Sequence, residues 1–75
     1  MRLKEIPESV KTVGANIERI RKEKGKKVRH VANDADMDIE ALRRYIAAKQ
    51  IMGIDKAVKI AKALDVEVGE LFDGA

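Results

Sequence analysis

The sequence predicts an all-α fold of five short helices around a single core. Apolar residues recur at three- and four-residue steps along most of the chain, Pro occurs once and Gly five times, and no stretch has to be read as a strand. Seventy-five residues leave room for one domain only. A chain of this size buries about 60% of its unfolded surface, so its core is thin and self-association would help it.

Residues 1 to 6, where Leu3 and Ile6 alternate with Lys4 and Glu5, carry no helical start signal and read as a short extended arm. Pro7 suits the first position of a helix, because the N–H it lacks would have no partner there. Val10, Val13, Ile17 and Ile20 then form one stripe. Gly25 ends this helix, with Lys22 and Lys24 placed favourably for its dipole. A second, shorter helix is carried by Val28, Val31, Ala32 and Ala35, although Lys27 is a poor N-cap for it. Asp36-Met37-Asp38 follows: Asp36 tolerates a left-handed turn, and Asp38 caps a third helix from Ile39 that buries Leu42, Tyr45 and Ile46. Gly53 is a break, and Ala57, Ile60, Ala61 and Leu64 mark a fourth helix. After Asp65-Val66-Glu67, the spacing of Val68, Leu71 and Phe72 predicts a last short helix.

Composition removes whole classes of function. With no Cys and one His, disulfide scaffolds, thiolate zinc sites, Cys nucleophiles and His-based metal sites are excluded, and a reducing compartment fits. No apolar run approaches the length of a membrane span, and the N-terminus lacks a signal-peptide core, so a cytoplasmic protein is expected. Ser9 and Thr12 have no partner base, and no Gly-rich phosphate loop occurs, so neither an enzyme nor a cofactor or small-molecule substrate is expected.

Charge is distributed unevenly. The net +3 divides into +6 over residues 1 to 30, four acids without a base over 31 to 41, three bases over 42 to 50 and −2 thereafter. Seven bases fall between Arg19 and Arg29, which favours a polyanion partner, although a solvated helical face has the same composition. Near the middle, a short helix, a turn of about four residues and another short helix with a polar outer face make a helix-turn-helix arrangement.

The residues that carry this arrangement resemble the lambda-repressor-like, or XRE-type, helix-turn-helix domains. Val13-Gly14 to Gly25 looks like the first helix of that family, and Ile60-Ala61-Lys62-Ala63-Leu64, Val66 and Glu70-Leu71-Phe72 are similar to its ending. Val31-Ala32 stands where the family has Leu-Ala, Met37-Asp38 where it has an apolar residue and Ser, and Leu42 where it has Ile. The resemblance covers about residues 13 to 72. It implies residues 1–12 as the N-terminal arm and start of helix one, 13–72 as the DNA-binding domain and 73–75 as a frayed C-terminus.

The resemblance further implies that Ile39 to Ile46 is the recognition helix, lying in the major groove of double-stranded DNA. Ile39, Glu40 and Arg44 would then face base edges: Arg44 to donate to guanine, Glu40 to accept from cytosine, Ile39 to touch a thymine methyl. Lys26, Lys27, Arg29, Arg43 and Lys49 would contact phosphates, Asp38 would stand at the helix start beside the bases, and Ala41 would permit close approach. Val28 stands where the family usually has Gln and offers a phosphate only its N–H. Ala48 replaces the usual Gly, so the recognition helix is expected to run on or to end strained. Ile46 replaces a Glu that commonly pairs with the Arg matched by Arg21, which leaves Arg21 to find another partner or face solvent.

The family commonly binds two half-sites, so a homodimer is expected, with Val66, Val68, Phe72 and the 1–6 arm as candidate surfaces. The function this resemblance implies is that of a small sequence-specific transcriptional regulator, expected to act as a repressor. Asp34, Asp36, Asp38 and Glu40 cluster where DNA should approach, and they support the alternative of a protein-interaction module that has lost operator binding. His30 reads as a surface residue, and Tyr45 and Phe72 as core. Ile51 and Met52 are expected to fill the core beneath their loop. Two buried rings offer no stacking platform, which argues against single-stranded RNA.

Overall fold

The computed structural model describes residues 7–75 and contains five helices: α1 (Glu8–Glu23), α2 (Val28–Asp34), α3 (Ile39–Ile46), α4 (Ile54–Leu64) and α5 (Val68–Leu71). The 1–6 arm expected from sequence lies outside the described residues. Pro7 is the N-cap of α1 rather than its first residue, with φ −60 and ψ 150.

α1 packs on α3 and α5, α2 packs on α3 and α4, and α4 packs on α5. The apolar stripes meet in one core, in which Ile17, Val31, Leu42, Ile60, Leu64 and Leu71 are the largest fully buried side chains. No polar or charged residue is buried among the described ones. Stability therefore rests on apolar burial, about 1.5–3 kcal/mol for each fully buried aliphatic side chain.

Four helices end in the same way. The residue after the helix, or one further on, is left-handed: Gly25 (φ 67), Asp36 (φ 55), Ala48 (φ 58) and Asp65 (φ 59). In each case the next N–H reaches back to a carbonyl of the last turn: Lys26 to Arg21, Met37 to Ala32, Lys49 to Arg44 and Val66 to Ala61. This closure satisfies end carbonyls and reverses the chain within a few residues. Only the first closure uses Gly. Ala48 settles the question raised by its sequence position, because α3 does not run on but ends on an L-residue held left-handed, at a cost of about 1–2 kcal/mol.

Candidate nucleic-acid interface

The turn that separates α2 from α3 is built from Ala35 to Asp38. Asp36 takes the left-handed conformation read from sequence, and its N–H donates to the Asn33 carbonyl at 3.1 Å. Met37 packs half-buried against the core and pins the turn from below. Asp38 is the N-cap of α3 with extended φ and ψ, as expected, but its carboxylate makes no cap hydrogen bond. The cap is thus backbone geometry alone.

α3 is sharply two-sided. Leu42 and Tyr45 are buried, while Ile39, Ala41 and Ile46 are half-buried against the core. Glu40, Arg43 and Arg44 are exposed on the opposite side. Arg43 lies 3.6 Å from Glu40 in an exposed ion pair, whereas Arg44 has no ion-pair partner among the described residues. A solvated pair of this kind contributes less than about 1 kcal/mol, so it orients Arg43 without immobilising it. Ala41, expected to allow close approach to DNA, packs instead toward the core.

The inner face of α3 is seated on α1 at Gly14. A Cβ at that position would lie 2.5 Å from the carbonyl oxygen of Ile46 and 2.8 Å from that of Tyr45. Backbone meets backbone here. The exposed charges of α3 are thereby held at a fixed height above α1, and no other residue type would allow it.

The basic residues expected on phosphates are not equivalent. Lys27 and Arg29 are exposed at the start of α2, and Lys49 is exposed just beyond α3. Val28 turns its side chain to the core, leaving its N–H as the only polar group it offers. Lys26 departs from its expected role, because its half-buried Nζ donates to the Ala63 carbonyl at 2.6 Å and closes the end of α4. Lys24 donates to the neighbouring Asp65 carbonyl at 3.3 Å. An ammonium satisfies those end carbonyls and the negative pole of α4 together.

Arg21, left without its family partner, pairs with Glu18 and also donates to the Lys26 carbonyl at 2.7 Å. Its Nε has no partner among the described residues. Asn16 was not singled out by sequence, yet its Nδ2 donates to the Leu71 carbonyl at 3.0 Å and the Asp73 carbonyl at 2.8 Å. The expected frayed end is therefore tied to α1 as far as Asp73, and the Ala75 N–H donates to Phe72. An Asn within an amphipathic helix, beside the apolar stripe, was the available signal.

The acidic cluster is a surface feature, with Asp34, Asp36, Asp38 and Glu40 all exposed. Acids therefore flank the N-terminal end of α3, and Arg43, Arg44 and Lys49 flank its C-terminal end. Among the described residues no three His, Cys, Asp or Glu side chains gather to hold a metal, and no helix is long and apolar enough to cross a membrane. His30 is exposed and Tyr45 is core, as expected. Phe72 and Ile51 are not core. α5 has only one turn and buries Leu71, which leaves Phe72 at its rim, and the loop before α4 turns Met52 rather than Ile51 inward.

A family model described as helix-turn-helix matches residues 17–71. Among solved structures, the restriction-modification controller protein C.AhdI from Aeromonas hydrophila superposes with a TM-score of 0.84 at 23% identity. The match covers 88% of this chain and 100% of that one. At that identity the likeness speaks for the fold. A comparison with curated proteins returned no match.

Proposed function

Since this chain belongs to the helix-turn-helix family, whose second helix docks in the major groove of DNA, we propose that it is a sequence-specific transcriptional regulator reading DNA with α3. The observation that carries this reading is the exposed Arg44. It has no ion-pair partner among the described residues and stands on the outer face of a helix whose inner face is locked against Gly14. A guanidinium donates two parallel bonds to guanine, and Glu40 and Ile39 have the chemistry for a cytosine amino group and a thymine methyl. Lys27, Arg29, Arg43 and Lys49 position the duplex through phosphates, with the Val28 N–H and the Asp38 end of α3 alongside. Lys26 belongs to the fold and not to this set.

The protein acts in the cytoplasm as a homodimer on two half-sites, and occupancy of the operator represses. That C.AhdI is a restriction-modification controller supports a regulatory role. The test is chemical-shift mapping with duplex DNA. Shifts concentrated on residues 27 to 29 and 38 to 49 are expected; shifts confined to α4 and α5 would refute the reading.

A second reading, a protein-interaction module on the same fold, is favoured by one observation. Four exposed acids border the approach to α3, and like charges repel phosphate. It predicts weak, salt-sensitive DNA binding with no preferred sequence.

A further inference from the structure

The outward stripe of α3 is longer than its charged residues. Glu40, Arg43, Arg44 and Ala47 follow one another at three- and four-residue steps, and all are exposed. Ala47 lies just past the last residue of α3, yet it keeps a helical φ of −77 and ψ of 0, and its N–H donates to the Arg43 carbonyl at 2.9 Å. Its methyl group therefore continues the stripe. Ile39, the other apolar residue with the chemistry for a thymine methyl, is half-buried and packs against the core. The two ends of the helix also differ in charge and in support. Asp34, Asp36 and Asp38 are exposed around its start, whereas Arg43, Arg44 and Lys49 are exposed around its end. Three cations outweigh the roughly half-unit negative pole of a helix C-terminus, so a polyanion is drawn to that end. It is also the end seated on Gly14, where the carbonyls of Tyr45 and Ile46 leave no room for a Cβ, and the end closed by the Lys49 N–H on the Arg44 carbonyl at 2.9 Å.

Resting on the DNA reading above, we infer that base reading is centred on the C-terminal half of α3, and that Ala47 is a specificity-determining residue whose methyl group packs on the C5-methyl of a thymine. Ile39 then belongs to the core and not to the reading surface. An Ala side chain presents only a methyl group to a base edge, and of the four bases only thymine answers it with another in the major groove. Spacing sharpens the assignment. Ala47 stands three residues beyond Arg44, about 4.5 Å along the helix axis, which is between about one and two base-pair steps. The thymine read by Ala47 therefore lies about one or two base pairs from the guanine read by Arg44.

The test pairs a methyl group on the protein with one on the DNA. A site selected by the wild type from random duplex DNA is resynthesised with deoxyuridine in place of each thymine in turn, which removes the C5-methyl and leaves base pairing unchanged. Each duplex is titrated with wild type, Ala47→Gly and Ile39→Ala. At one thymine beside the guanine whose preference is lost in Arg44→Ala, the exchange should weaken wild-type binding by about fourfold, the worth of one buried methyl group. Ala47→Gly should not feel that exchange, whereas Ile39→Ala should lose thermal stability and feel it in full. Ala47 is exposed, so circular dichroism should find Ala47→Gly folded. In a fresh selection, Ala47→Gln should abolish the thymine preference at the same position. A site with no thymine coupled to Ala47, or one coupled to Ile39 instead, would overturn the inference and leave α3 as the reader. Failure of the DNA reading looks different, because a wild type that selects no sequence at all would overturn both.

Discussion

The two faces of α3 obey opposite rules. Inward, Leu42 and Tyr45 are buried and the helix end lies backbone to backbone on Gly14, with no space for a methyl group. Outward, Glu40, Arg43 and Arg44 are solvated, and the single ion pair among them is weak. The inner face fixes where the outer side chains stand, and the outer face is free to change without disturbing the core. The proposed binding specificity and the fold stability thus fall to different residues of one eight-residue helix.

That separation is broken most forcefully from the inside. Leu42→Ala removes a side chain with no exposed surface, and thermal or denaturant unfolding should show a loss of about 3 kcal/mol, within the range for buried Leu truncation. Gly14→Ala should cost about 2 kcal/mol, since a Cβ meets two carbonyl oxygens that belong to backbone, partly offset by the better helix propensity of Ala. It should also weaken DNA binding by displacing α3. If Gly14→Ala proved neutral, the close seating of α3 on α1 would be wrong.

From the outside, Arg44→Ala should leave unfolding free energy within about 0.5 kcal/mol and reduce discrimination between good and mismatched sites by about 1–3 kcal/mol in competition titrations. Lys26 and Lys27 sharpen the same contrast between neighbours. Lys27→Ala should lower the salt slope of DNA binding by about one, while Lys26→Met should leave the slope alone and cost about 1 kcal/mol of stability through the open end of α4. The smallest effect is a gain. Ala48→Gly relieves the left-handed strain after α3 and should stabilise by about 0.5–1 kcal/mol in denaturant unfolding.

Much of this was legible in the sequence because it depends on period and on local backbone chemistry. The stripe from Val13 to Ile20, the Asp36 turn and the position of Asp38 follow from spacing and from what Asp tolerates. What escaped depends on distant partners. Lys26 is one of seven bases in a run, and only the position of Ala63, thirty-seven residues on, distinguishes it from Lys27. Asn16 holds Leu71 and Asp73 across the fold, and its place beside the apolar stripe of α1 hints at a polar contact without naming those partners. Phe72 and Ile51 read as core because they are apolar and adjacent to core positions, yet one turn of helix and a short loop cannot turn every such residue inward. Gly14 gave a fair hint, since Gly in the middle of a helix costs about 1 kcal/mol and implies a close approach.

The central claim, that the free outer face of α3 reads base sequence, is tested most directly by selecting binders from a random double-stranded oligonucleotide pool, at low and at raised salt, with wild type and Arg44→Ala. The account predicts enrichment of a palindromic site by the wild type, persisting at raised salt and lost in Arg44→Ala. Weak binding that vanishes with salt and enriches no sequence would contradict it, and would assign the exposed acids around Asp36 and Asp38 to a protein partner instead.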